Sequence, residues 1–175
     1  GVTLGSLARV LAAEPERVRA HLGRYAEASR NGFTALNTAF INDGAFVHLG
    51  RNTVLDEPVH LLFLSTEAGG EFSAYPRNLV VAEEGSAAKV IESYAALGEG
   101  RYLNDVTSEV VLEANAELEH YLLQEESRKA FHVATVQVHQ ARDARYRSHA
   151  VAFGAQLART DINVEYGVSP RGDRG

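Results

Sequence analysis

From residue 59 onward the chain is cut into short strand-like runs that begin near residues 59, 78, 88, 106, 116, 131, 145 and 157, always 10 to 19 residues apart. Two architectures produce strands of this length at this regularity: an antiparallel sandwich, or a β-solenoid in which each coil supplies two or more strands. A sandwich wants tight hairpin turns, and no Asn-Gly or Asp-Gly dipeptide follows Gly44. That favours the solenoid. Pairs such as Val80-Val81, Val90-Ile91, Val110-Val111 and Leu122-Leu123 would then stack coil upon coil.

The runs alternate with period two. Val106, Val110, Leu112 and Ala114 share one side, with Thr107, Glu109 and Glu113 expected in water; Leu118, His120 and Leu122 follow Ala116 on one side, with Glu117, Glu119 and Glu125 opposite. Interruptions fall at Glu84-Gly85-Ser86, Glu125-Glu126-Ser127-Arg128, Ala141-Arg142-Asp143 and Gly154, and Phe72 to Tyr75 can form one more short strand. The first forty residues read instead as helix. Ser6 caps a run through Leu7, Val10 and Leu11; Glu14-Pro15-Glu16 starts a second helix that carries Val18 and Leu22 and stops at Gly23; a third spans Phe33 to Phe40, with Phe33, Leu36 and Phe40 on one side. Asn42-Asp43-Gly44 closes the helical part.

Composition narrows the function. With 175 residues and a formal charge of −6, one cored domain is expected and nucleic acid is a poor partner. Cys is absent, so the chain offers no disulfide, no thiolate zinc site, no cysteine-held cluster and no cysteine nucleophile. No run approaches the roughly 18 apolar residues of a membrane helix, and a cytoplasmic protein without membrane contact is expected. Met is absent even at position 1, which reads as a trimmed chain or a piece of a longer one.

Several strings then become informative together. Phe33-Thr34-Ala35-Leu36-Asn37-Thr38-Ala39-Phe40, Leu55-Asp56-Glu57-Pro58-Val59-His60-Leu61, Tyr75-Pro76-Arg77-Asn78-Leu79-Val80-Val81, Glu92-Ser93-Tyr94, Glu119-His120 with Gln124-Glu125-Glu126-Ser127, Phe131-His132-Val133-Ala134-Thr135, Arg147-Ser148-His149 and Leu157 to Val164 occur in that order. Taken together over residues 1 to 167, they resemble the SufB/SufD family of the sulfur-mobilisation iron–sulfur assembly system, on its SufD branch. The resemblance implies a right-handed parallel β-helix behind a helical segment: residues 1–41 helical, 42–167 the first coils of the β-helix, and 168–175 a disordered or non-family tail. It implies a non-ATPase subunit working with a SufB-like scaffold and a SufC-like ABC ATPase, possible homodimers, and support of iron entry. It places the iron–sulfur cluster, and FAD, at the level of the complex. The SufC-docking helices and the interface histidine of the family are expected beyond Gly167, and no catalytic, cofactor-binding or metal-ligating residue is carried over to this segment.

Read for chemistry, the remaining residues favour plain roles. His120 lies in line with Leu118 and Leu122 and is expected to be a core histidine bonded to a neighbouring coil. His132 and His139, seven apart on one strand, face opposite ways and cannot grip one metal together; His149 sits beside Arg145 and Arg147 on a surface. Glu109, Glu113, Glu117, Glu119, Glu125 and Glu126 form an acidic stretch that reads as a solvated face; if its members stacked between coils, they would instead support a carbohydrate-active β-helix enzyme. No phosphate cradle, dinucleotide turn or Gly-x-Ser-x-Gly elbow is present, so the segment is expected to bind no ATP and to act as a frame rather than an enzyme.

Overall fold

A computed structural model describes residues 1–66 and 70–167. In chain order it contains β1 (Val2–Ser6), α1 (Leu7–Ala13), α2 (Pro15–Arg19), α3 (Gly32–Phe40), β2 (Ala45–Leu49), β3 (Val59–Thr66), β4 (Phe72–Ala74), β5 (Arg77–Ala82), β6 (Ala87–Leu97), β7 (Tyr102–Leu112), β8 (Glu117–Glu125), β9 (Phe131–Gln140), β10 (Arg145–Ala152) and β11 (Leu157–Tyr166). The strands form two sheets, β1-β2-β5-β7-β9-β11 with β4 beside β7, and β3-β6-β8-β10. Every pairing is parallel except β1 with β2. From β5 onward the chain alternates between the two sheets, so each coil contributes one long strand to each, and the expected β-solenoid is what forms, with about four turns.

The register explains both the spacing and the missing hairpin signals. Ala87 pairs with Glu117 and Glu117 with Arg145, a coil repeat of about 30 residues carrying two strands. At one corner each coil turns through a left-handed residue: Asn52, Gly85, Asn115 and Asp143, with φ of 56°, 68°, 58° and 58°. These are residue types that tolerate that conformation. Their N–H groups bond across coils, Asn52 to the Glu84 carbonyl, Gly85 to Ala114 and Asn115 to Arg142, at 2.9 to 3.0 Å. Val47, Val80, Val110 and Val138 stack in register on the inner side of the larger sheet. Val90, by contrast, meets His120 and Leu122 meets Glu92, so the inner column of the smaller sheet is partly polar.

The helices follow their start signals and pack less simply. The Ser6 hydroxyl caps α1 by accepting from the Arg9 N–H, and Pro15 occupies the first turn of α2, which ends at Arg19, four residues before Gly23. The buried residues of α3 are Thr34 and Asn37, while Phe33 and Phe40 are exposed; Phe40 stacks on Tyr75. Strands β1 and β2 are additions to the sequence reading. Gly44, just before β2, lies so close to β5 that a Cβ would meet the Arg77 carbonyl oxygen at 1.9 Å. One core cluster fills the lumen around Val80, Val110 and Leu118; a second, around Val18, Phe46 and Leu79, joins the first helices to the outside of the larger sheet.

This outer packing corrects one expectation. Thr107 and Glu109, read as facing water, are fully buried, because the N-terminal segment covers the outer face of β7. Strand β8 keeps its alternation, whereas β7 is buried on both faces. Residues 168–175, read as a tail outside the family pattern, lie outside the described residues.

Candidate functional site

Two polar clusters are built into the fold. The first fastens the helical segment to the solenoid. Glu109, in the middle of β7, accepts from the backbone N–H groups of Gly23, Tyr25 and Ala26 at 2.8 to 3.2 Å, and from the Arg77 guanidinium at 3.0 and 2.6 Å. Arg77, at the start of β5, also donates to the side-chain oxygens of Asn37 and Thr38, while Asn37 donates to the carbonyls of Pro76 and Asp105. Both charges are almost completely buried and fully bonded. Removing one partner would strand the other, so the pair acts as a clamp. Burial also raises the Tyr25 phenol to about 12, helped by the Glu109 charge.

The second cluster runs inside the lumen. Strand parity points Asn78, Ser108, Glu92, Tyr94 and His120 inward, and the carboxylate of Glu92 gathers donors from all four of the others. His120 Nε2 is 3.1 Å from Glu92, and its Nδ1 is 2.8 Å from the Tyr146 hydroxyl on the next coil. Burial on its own would raise the Glu92 carboxyl; His120 and the hydrogen bonds of Tyr94 and Ser108 outweigh it and hold the group below the ordinary range. Burial, then the Glu92 charge, push the Tyr94 phenol well up. Farther along, Glu126 accepts from Asn104 and Gln124 and lies 2.7 Å from His132 Nδ1. His132 meets the Tyr94 ring edge-on and lines a cavity of about 80 Å³ with Tyr94, Leu122, Leu123, Gln124 and Thr160 among others.

The residues singled out in the sequence separate cleanly. His120 is the core histidine expected, bonded to coils on either side. His132 faces the lumen and His139 the opposite side, against the Tyr25 ring. His149 is exposed, stacks on Tyr121 and approaches Glu119 at 3.5 Å. The acidic stretch is not one solvated face: Glu109 and Glu126 are buried in the two clusters, while Glu117 and Glu119 lie beside Arg145, Lys89 and His149. In register, Glu117 sits between Ala87 and Arg145, and Glu119 between Lys89 and Arg147. No acid of the stretch stacks on another there, which removes the premise of a carbohydrate-cleaving site. Among the described residues no three His, Asp or Glu side chains are grouped to hold a metal, and no helix is long and apolar enough to cross a membrane.

Sequence reasoning missed Glu92, Arg77 and Asn78 as site residues. Their signal was parity: a carboxylate at Glu92, in step with Ala88, Val90 and Tyr94, must enter the lumen.

Comparison with known proteins points to one family. A family model described as SUF system FeS cluster assembly, SufBD core domain, matches residues 63–168, and one for the SufBD protein N-terminal region matches residues 1–61. An iron–sulfur cluster assembly SufBD family protein of Synechocystis sp. is 33% identical over 171 residues, covering 93% of this chain and 38% of the relative. The chloroplastic protein ABCI7 of Arabidopsis thaliana is 28% identical over 139 residues, 76% of this chain and 29% of that protein. A SufBD family protein of Staphylococcus epidermidis is 25% identical over 122 residues, 69% of this chain and 26% of its own length. The chain thus spans well under half the length of these relatives.

Proposed function

The chain belongs to the SufBD family of iron–sulfur cluster assembly proteins, and from that premise we propose that it serves as a SufD-like, non-ATPase subunit. In this reading it frames a complex with a SufB-like scaffold and a SufC-like ATPase in the cytoplasm and supports iron entry. The cluster, and FAD where it is used, belong to the complex. The observation that supports the choice of branch is that this segment, matched by the family over nearly its whole length, supplies no cysteine of its own. A scaffold that holds a nascent cluster needs thiolates, whereas a frame needs rigid packing. The buried Arg77–Glu109 clamp and the filled lumen supply the second. In this reading the segment serves as a frame rather than as an enzyme.

The test is assembly. The full-length protein, tagged and co-expressed with its cellular SufB-like and SufC-like partners, is expected to purify with both, and its deletion to lower iron–sulfur enzyme activity in the cell. Purification without either partner, together with unchanged enzyme activity in the deletion strain, would overturn the proposal.

A further inference from the structure

The lumen cluster has a direction. Glu92 on β6, His120 on β8 and Tyr146 on β10 occupy three successive coils of one sheet, linked at 3.1 Å and 2.8 Å. Ser148, the register partner of His120 on β10, follows, with a buried hydroxyl oxygen beside the Tyr146 hydroxyl. At the inner end Glu92 is fully buried and surrounded by donors from Asn78, Tyr94, Ser108 and His120. A carboxylate so supplied is an acceptor, so His120 carries a proton on Nε2, and in its neutral form its Nδ1 accepts from the Tyr146 hydroxyl. Tyr146, unlike the other two, is only partly buried. Carboxylate, imidazole and hydroxyl in this order are the arrangement by which a buried acid orients a histidine to take a proton from a hydroxyl.

We propose that Glu92, His120 and Tyr146 form a proton relay along the solenoid axis, with Tyr146 at its outer end and Glu92 as its inner, transient acceptor. One proton arriving on the Tyr146 oxygen lets that oxygen release its own proton to His120 Nδ1; His120 Nε2 releases its proton to Glu92 Oε1. One O–H bond forms and one breaks at Tyr146, one N–H forms and one breaks at His120, and one O–H forms at Glu92, with no change in electron count. The reverse sequence returns a proton to the β10 side. The chemistry it fits is any step beside Tyr146 and Ser148 that consumes or frees a proton. It rests on the lumen geometry alone, so its failure would leave the assembly role standing.

The test reads proton traffic. With histidine as the only ¹⁵N-labelled residue, the His120 signals are identified by their loss in H120Q, and exchange of the His120 ring N–H with solvent is compared with that of the His120 backbone N–H. A relay predicts the Nε2–H tautomer and a ring proton with a protection factor at least tenfold below that of the backbone N–H. Tyr146→Phe, which keeps the ring and removes the hydroxyl, should raise ring protection to the backbone level, and Ser148→Ala should raise it part of the way. Equal protection of ring and backbone in the unaltered protein would overturn the proposal. So would ring exchange that Tyr146→Phe leaves unchanged while the backbone N–H stays protected, or a His120 found with its proton on Nδ1 alone.

Discussion

Asp105 buries its carboxyl under α3, where the backbone carbonyl is bonded by Asn37 but neither carboxyl oxygen has a partner. A carboxylate removed from water without a donor favours its neutral form, and burial raises the Asp105 group from 3.8 to about 6. The unfolded chain holds that proton only below the ordinary value, so the stability it confers is full below pH 3.8 and disappears as pH rises through about 6. Above that the ionised group costs roughly 1–3 kcal/mol. Asp105→Asn, which keeps the shape and removes the charge, should therefore raise stability by about that amount at pH 7.5 and by little at pH 4, in denaturant titrations run beside the unaltered protein. Equal effects at both pH values would refute this account. Asp105 also shows where the sequence stops being informative. Its outward parity was legible, as was that of Glu109, but whether an outward face meets water or a helix depends on α3 and the turn at Gly23, which are far away in the chain. The same distance effect hid the clamp, while His120 was legible because its neighbours on its own strand, Leu118 and Leu122, already fixed its side.

Among the elements, the corner at Asn52, Gly85, Asn115 and Asp143 does most to set the coil repeat, because it turns the chain from one sheet to the other and passes a hydrogen bond to the next coil. The interruptions at Glu84-Gly85-Ser86 and Ala141-Arg142-Asp143 were legible as breaks, and β6, β8 and β9 between them start within one residue of the expected positions, whereas β7 starts at Tyr102, four residues before the expected Val106. The short strands were harder to read. Ala45–Leu49 is buried at four of five positions and shows no alternation, and Val2–Ser6 gains its pairing from β2, 39 to 47 residues later. The conformation at the corner makes a specific prediction. Asn115 sits at φ 58°, where a β-branched side chain collides with its own backbone. Asn115→Val should cost about 1–2 kcal/mol in thermal or denaturant unfolding, and Asn115→Gly only a few tenths. If the two variants unfold alike, the left-handed turn is not what the position requires.

At the scale of the whole molecule the two sides of the solenoid differ. The helical segment closes the outer face of the larger sheet over β5 and β7, and β1 pairs along β2 at one end of the stack. At the other end β10 pairs only with β8 and β11 only with β9 among the described residues, so one side of each strand offers free N–H and carbonyl groups. The side chains there match that edge: Val151, Phe153, Leu157, Ile162, Val164 and Tyr166 are all exposed. Ile162 and Val164 are in register with Val136 and Val138 of the lumen core, so their exposure marks a stack that presents its cross-section. An unpaired parallel edge combined with an apolar cross-section is a template for another strand. The 175-residue chain on its own should therefore associate with itself at micromolar concentration, seen as a concentration-dependent mass in light scattering. Replacing Ile162 and Val164 together by Lys should return it to a monomer without unfolding β5 to β9, whose core lies in the preceding coils. A monodisperse monomer of the unaltered chain would mean that the exposed end is closed by something other than strand pairing.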